Sequence, residues 1–360
     1  MLQQKTVIGI MSGTSLDGID LACVKFSETD DKIVYQFIEG KTIDYNNEWK
    51  KNLKNLPNAT ALTYAYAHTA LGWLMGAEAE KFIRENNLKV DFIASHGHTI
   101  FHQPHNSLTA QIGDAAHIAA LTNLPVVADF RTLDVALGGQ GAPLVPIGDK
   151  YLFNDFDLCL NLGGIANISF DNLKGERIAF DICPANMVLN QLANQLGMNY
   201  DKNGDIAATG KTSPSLLNKL NGLEFYNQPA PKSLGYEWFM EKFLPLVEAE
   251  NISIPDKLHT ACEHIAVQVS AVVNTHAVKG NNAKMIVTGG GTHNAFLMQL
   301  LKQHCTCKIE IPANDIINFK EAIIFALLGY LRWHNKVNTL ASVTGAQKNS
   351  VGGAIYYGGS

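Results

Sequence analysis

"IGIMSGTSLDGIDLACVKF", residues 8 to 26, passes from an apolar stretch through a turn of Gly, Ser, Thr and Asp into a second apolar stretch. A turn built on glycine, which has no Cβ, lets backbone come close to a phosphate and point its N–H groups at the oxygens. Around that turn "TVIGIM", "IDLACVKF" and "KIVYQFIEGKTI", between Thr6 and Ile43, read as three strands of an antiparallel meander. A helical segment from 61 to 86 follows, then "VDFIAS", which ends in the His-rich "HGHTIFHQPH", and a further strand, "LPVVADF", ending at Phe130. Past the Gly- and Pro-rich "ALGGQGAPLVP" the pattern begins again. "DLCLNLGG", "IANISF" and "ERIAFDIC" form a second three-strand run with a glycine turn after its first strand, and a helix runs from about Pro184 to Leu196. Later "AKMIVTGGG" is a strand ending in three glycines, "NAFLMQLLKQH" is helical, and "NFKEAIIFALLGYLRWH", 318 to 334, is a mostly apolar and hence buried helix. Each half therefore holds strand, Gly turn, strand, strand, helix and a later strand, the pattern of a duplicated α/β chain with two lobes facing a cleft.

Bulk composition narrows the partner. With 360 residues, 46% hydrophobic and 17% charged, the chain can bury a large core, and its length favours two domains. Lys and Arg total 28 against 33 Asp and Glu, so no basic excess exists to hold nucleic acid or an anionic membrane. A small molecule is the expected partner. Six scattered cysteines lack the density of a disulfide scaffold, and the longest apolar run, "AIIFALLGYL", is too short to span a bilayer, so a reducing cytoplasm is expected. The residues leave oligomeric state open, a homodimer included.

Three glycine turns are candidates for phosphate: "SGTSLDG" (12 to 18), "NLGGIAN" (161 to 167) and "TGGGTHN" (288 to 294). "GDIAATGKT" is not a P-loop, since five residues separate Gly204 from Gly210 where four are needed and no strand precedes it. Asp181 closes the apolar strand "RIAF" just before Pro184, where it either projects into the cleft or caps the following helix. Asp17 and Asp20 either hold Mg²⁺ through water or shape a turn. His96, His98, His102 and His105 suggest zinc by count, but no cysteine or carboxylate nearby completes a site. Glu321 is a charge on an otherwise apolar helix and needs a partner if buried, unless it begins that helix.

Taken together, "GIMSGTSLDGID", "HGHTIFH", "QIGD", "ADFRTLDVALGGQGAPLVP", "NLGGIANIS", "PKSLGYEWF", "VTGGGTHN" and "SVTGA" resemble the anhydro-N-acetylmuramic acid kinases of the sugar kinase, actin and Hsp70 superfamily. The resemblance runs from Ile8 to about Ile355 with motifs in the same order. It implies an actin-like α/β fold of two duplicated lobes with mixed sheets flanked by helices, an N-terminal lobe of 1–130, completed by 340–360, and a C-terminal lobe of 131–339. It implies that ATP, with Mg²⁺, binds between the lobes. The ATP-phosphate segment would be Gly13, Thr14, Ser15, Leu16, Asp17, Gly18, Ile19 and Asp20, with Asp17 near the metal. Gly163 and Gly164 would face it from the second lobe, and Gly289, Gly290 and Gly291 would approach the nucleoside. The implied reaction opens 1,6-anhydro-N-acetylmuramic acid with water and phosphorylates the freed O6, giving N-acetylmuramic acid 6-phosphate and ADP in cell-wall recycling. By alignment to the family's "DTGPGNM" the water-activating base is Asp181, paired with Glu321. Arg131, His98 and Asn186 are expected at the sugar, Arg131 to bind its carboxylate unless it serves a structural ion pair. This chain has "DICPANM", so Ile182, Cys183 and Ala185 replace a threonine and two glycines, which is expected either to narrow the pocket or to reflect a backbone that needs no glycine. A kinase of a related sugar and a nucleotide-binding regulatory protein without catalysis are the alternatives.

Overall fold

The computed structural model describes residues 2–13, 16–30, 32–276 and 282–359. It has two units: Met1–Leu152 with Phe319–Ser360, and Phe153–Asn318. In the first, β1 (Lys5–Ser12), β2 (Gly18–Thr29) and β3 (Lys32–Asp44) form the antiparallel meander, with Ile8 opposite Cys23. β4 (Phe92–Gln103) joins β1 in parallel, with β5 (Leu108–Ile112) folded back on it, and β6 (Val126–Ala128) lies parallel to β4. In the second unit β7 (Leu158–Leu162), β8 (Ile165–Asp171) and β9 (Arg177–Pro184) form another antiparallel meander. β10 (Lys284–Thr288) joins β7 in parallel and β11 (Lys308–Glu310) joins β10. The orders β3-β2-β1-β4-β6 and β9-β8-β7-β10-β11 are the same, so the repeat in the chain is a repeat of sheet topology. The chain then closes on the first sheet, where β12 (Ala354–Tyr356) pairs antiparallel with β6.

Strand alternation puts Ile8, Ile10, Ile19, Leu21 and Ile93 on one face of the first sheet, against Leu71, Met75 and Phe82 of the helix Ala61–Glu85. The other face carries the helix Asn314–Trp333, which starts four residues before the expected 318. Its approach is close enough that a Cβ on Gly9 would lie 1.8 Å from the Ala322 carbonyl oxygen, and one on Gly329 2.5 Å from Ala94 Cβ. Glycine at both ends of that contact lets backbone meet sheet, while Phe26 stacks on Tyr330 and Phe92 on Trp333 beside it.

The expected lobe boundaries at 130 and 339 fall inside the first unit. The reason is a buried tie between two of the sequence motifs. Asp134, 1% exposed, accepts from the Gly141 backbone N–H at 2.7 Å and from Thr344 Oγ1 at 2.8 Å, so "GGQGAP" and "SVTGA" are held to one carboxylate. In the second unit the inward residues of β7 to β10 share a core with Val188, Leu189 and Leu192 of the helix Asn186–Asn194 and with Leu258, Ile265 and Val269 of Ile254–His276.

Candidate active site

Asp181 sits on β9 at a bulge. Asn167 of β8 pairs with Asp181 and Ala166 with Cys183, leaving Ile182 as the extra residue, a device that re-aims side chains at strand ends. The helix behind it is capped by Ala185 and starts at Asn186, so Asp181 is not its cap and Pro184 belongs to the strand. The carboxylate is instead held by residues 52 and 53 positions later: Oδ2 accepts from Ser233 Oγ at 3.0 Å and from the Leu234 N–H at 2.8 Å, while the Asp181 N–H donates to the Lys232 carbonyl. Burial raises this half-buried carboxyl above the ordinary aspartate value, and the two hydrogen bonds oppose the rise.

Both glycine turns of the second unit meet at Leu162 and Asn186. The Gly164 carbonyl accepts from the N–H groups of Ala185 and Met187, and the Gly163 carbonyl from that of Asn186. Asn186 Nδ2 donates to the Leu162 carbonyl at 3.0 Å. The glycines differ in what demands them. Gly289 has φ +87, and its Cβ would fall 2.7 Å from the Leu162 carbonyl oxygen; a Cβ on Gly291 would fall 2.6 Å from Leu162 Cβ. At Gly164 and Gly290 the nearest atoms would be 3.8 and 3.7 Å away and φ is not in the left-handed region, so the protein itself asks for no glycine there. Ile182, Cys183 and Ala185 are 1%, 0% and 0% exposed and belong to the core, which favours a backbone that needs no glycine over a narrowed pocket. Ala185 has φ −125, so no left-handed glycine is called for there, while its ψ of −104 falls outside the strand and helix regions.

In the first unit, Thr14 and Ser15 lie outside the described residues. Leu16 holds φ 61, a strained value for a residue with a side chain, and its N–H donates to the Gly13 carbonyl. Gly18 is required by packing, since its Cβ would lie 2.2 Å from the Ile43 carbonyl oxygen, and Ile19 is a core residue. Asp17 is exposed and its carbonyl accepts from the Tyr45 N–H; half-buried Asp20 accepts from Thr42 Oγ1 at 2.6 Å. Burial raises the Asp20 carboxyl, and the charge of Asp17 adds to the rise.

β4 continues through the histidines because Gly97, at φ +74, bends it in place; a Cβ there would lie 2.3 Å from the Ile112 carbonyl oxygen. His96 Nε2 accepts from Arg131 Nε at 2.9 Å, so its proton is on Nδ1, which faces the Gly97 carbonyl at 3.0 Å. His98 Nδ1 lies 2.9 Å from Ser12 Oγ, itself 2.8 Å from the Tyr45 hydroxyl. Ser12 is the hydroxyl's one partner among the described residues, so the buried proton is satisfied when Tyr45 donates to Ser12 and Ser12 to His98. His98 then carries its proton on Nε2, and the two histidines hold opposite tautomers. Burial pulls His98 down to about 4, keeping it neutral. Arg131, half-buried, also donates Nη1 to the Gly141 carbonyl at 2.6 Å, which leaves its outer Nη edge for an anion. The protein around it pulls the guanidinium down to about 10, and Glu321 opposes this. Glu321 is open to solvent by surface area, yet enough protein surrounds it to raise its carboxyl, with Arg131 the main opposing charge; water that reaches it screens the effect. It lies well inside its helix and does not begin it.

A sequence profile described as anhydro-N-acetylmuramic acid kinase matches residues 5–358. The chain belongs to the anhydro-N-acetylmuramic acid kinase family. Family members of that name from Vibrio vulnificus and Microcystis aeruginosa are each 33% identical, with 99% and 97% of this chain and 99% of each relative covered. One from Bacillus cereus is 32% identical over 98% of this chain and 99% of its own. Among solved structures, an activator of 2-hydroxyisocaproyl-CoA dehydratase from Clostridium difficile aligns over 92% of this chain and 96% of its own, at TM-score 0.46 and 13% identity. Residues missed in the sequence are those that hold the family's named ones. Lys232, Ser233 and Leu234 lie in "PKSLG", a family stretch whose presence was the one available signal, whereas Ser12, Tyr45 and His96 reach their partners only through the fold.

Proposed function

We propose that this chain converts 1,6-anhydro-N-acetylmuramic acid, water and ATP to N-acetylmuramic acid 6-phosphate and ADP. The observation that carries it is the Asp181 carboxylate, held by two donors on Oδ2 so that Oδ1 is left to accept a proton. Water forms a bond to C1 and gives a proton to Asp181 as the C1–O6 bond breaks. The freed O6 then forms a bond to the γ-phosphorus as the bond to ADP breaks. Glu321 is the second carboxylate that the family motif assigns, and Arg131, whose outer edge has no hydrogen-bond partner among the described residues, suits the lactyl carboxylate. Gly164 and Gly290, where protein crowding does not ask for glycine, support close approach of the nucleotide to the second unit, with Gly163, Gly289 and Gly291 beside them. Gly13 and the strained Leu16 support the same role in the first. Asp17 and Asp20, mutually repelling oxygen donors, fit Mg²⁺, which would supply charge neutralisation at the phosphates. Six buried cysteines, too scattered along the chain for a disulfide scaffold, support a reducing cytoplasmic setting. A non-catalytic role drew its support from the residues replaced beside Asp181, and these lie in the core.

The test runs the reaction with ATP and Mg²⁺ in ¹⁸O-water, sampled before anomeric exchange. Label is expected at the anomeric hydroxyl. Label in phosphate, or no phosphosugar, overturns the proposal.

A further inference from the structure

Between Pro231 and Gly235 the chain passes Asp181 and gives it three contacts in succession: the Lys232 carbonyl takes the Asp181 N–H at 3.0 Å, Ser233 Oγ donates to Oδ2 at 3.0 Å, and the Leu234 N–H donates to the same oxygen at 2.8 Å. The segment is itself tethered. Lys232 Nζ donates to the carbonyls of Phe225 and Tyr226, at 3.0 and 3.2 Å, in the short helix Glu224–Asn227, and sits 4.6 Å from the Phe225 ring centre. Its ammonium is therefore spent on carbonyl oxygens and an aromatic face, and Asp181 is approached by neutral donors.

That choice of donors has a chemical consequence. An ammonium paired with Asp181 would hold its proton affinity low, whereas a hydroxyl and an amide orient the carboxylate at a smaller cost in basicity. Because both donors fall on Oδ2, they distinguish two otherwise equivalent oxygens. We propose that Ser233 is a positioning residue for the ring-opening step, selecting Oδ1 of Asp181 as the oxygen that takes the proton from water. Without the Ser233 hydroxyl, Oδ2 keeps the Leu234 bond alone, the carboxylate is free to rotate, and either oxygen can engage water in unproductive geometry. The inference rests on the assignment of Asp181 as base.

The test compares Ser233→Ala and Ser233→Thr, each alone and with Asp181→Asn. Ser233 is exposed and the alanine variant creates no cavity, so both should fold as the parent does. With Ser233→Ala, kcat is expected to fall about 10- to 100-fold, the scale of one hydrogen bond to a charged group, with KM for ATP within twofold. Ser233→Thr, which restores the hydroxyl, should recover most of that loss. In the Asp181→Asn background Ser233→Ala should cost less than twofold more, because its route to the chemistry is already gone. An unchanged kcat in Ser233→Ala, no recovery with threonine, or an equal loss in both backgrounds overturns the inference. A parent enzyme that opens no anhydro sugar, or an Asp181→Asn variant within a few-fold of the parent, overturns the assignment of the base and the inference with it.

Discussion

Putting glycine back at 183 and 185, as in the family motif, separates a core made by these residues from a site spoiled by them. Both side chains are fully buried in the second unit's core. Removing Cβ and Sγ from Cys183 should cost about 2–3 kcal/mol in lost burial and residual cavity, and removing the Ala185 methyl about 1 kcal/mol. Glycine adds about 0.5–1 kcal/mol of backbone freedom at each position, since neither requires φ > 0. The double variant should therefore lose about 4–6 kcal/mol in guanidinium unfolding. Turnover of the anhydro sugar, measured at a temperature where circular dichroism shows both proteins folded, should stay within about threefold, because both removed side chains are fully buried in the core, the Cys183 thiol feeling Asp181 only through its charge. A double variant as stable as the parent would refute the burial reasoning. One that gained activity tenfold or more would show that the replaced glycines matter to catalysis after all.

Gly164→Ala and Gly290→Ala should unfold within about 1 kcal/mol of the parent yet weaken ATP binding at least about tenfold by calorimetry, whereas Gly289→Ala, strained at φ +87, should be less stable; equal ATP affinity in the first two removes these turns from the nucleotide site. Asp134→Ala leaves the Gly141 N–H and the Thr344 hydroxyl without their acceptor and should cost about 2–4 kcal/mol, and a cycle with Thr344→Val should show coupling of about 1 kcal/mol or more; additive effects would break the proposed tie. His98 and His264, held neutral with values near 4 and 3 against the ordinary 6.5, should make the protein less stable as pH falls below about 6.5. In that window the unfolded chain binds protons that the folded one refuses, at about 2 kcal/mol per histidine by pH 5. Asp181 and Glu321, raised by burial, act in the opposite sense, losing stability as pH rises from the ordinary carboxylate range through their folded values. Unfolding midpoints that are flat between pH 7 and 5 in the parent, or unaltered in slope in His98→Gln, would count against the histidine assignment.

Both meanders, the helix 61–86 and the helix after the GGG turn were legible because period-2 and period-3.6 patterns are local and each lies between strong turn signals. Local pattern is also why the boundaries slipped. Apolar "LPVVADF" looks like a long strand, but only Val126–Ala128 finds a ladder partner, and the strand ending in "VDFIAS" runs on because Gly97 accommodates a bend that periodicity cannot express. Asp181 was legible as a strand-end carboxylate. Its donors were not, since Ser233 and Leu234 belong to an irregular stretch with no periodicity, and their contact is made by tertiary packing. Glu321 and Arg131 each stood out, yet their mutual electrostatic effect joins residues far apart in the chain. The tie that joins 131–152 to the first unit was illegible for the same reason: the partner of Asp134 is 210 residues away.

The close meeting of Gly9 with Ala322 orders events on the ribosome. β1, β2 and β4 are complete before residue 103 has long passed, but the helix that covers one face of their sheet is not made until residue 333. At about 5–20 residues per second that face stays bare for roughly 10–50 s, with Phe26 and Phe92 waiting for Tyr330 and Trp333. The second unit, encoded without interruption from Phe153 to Asn318, meets no such delay. The nascent first unit is thus the half that a holding chaperone would be expected to bind, and release would follow synthesis of the helix that begins at Asn314.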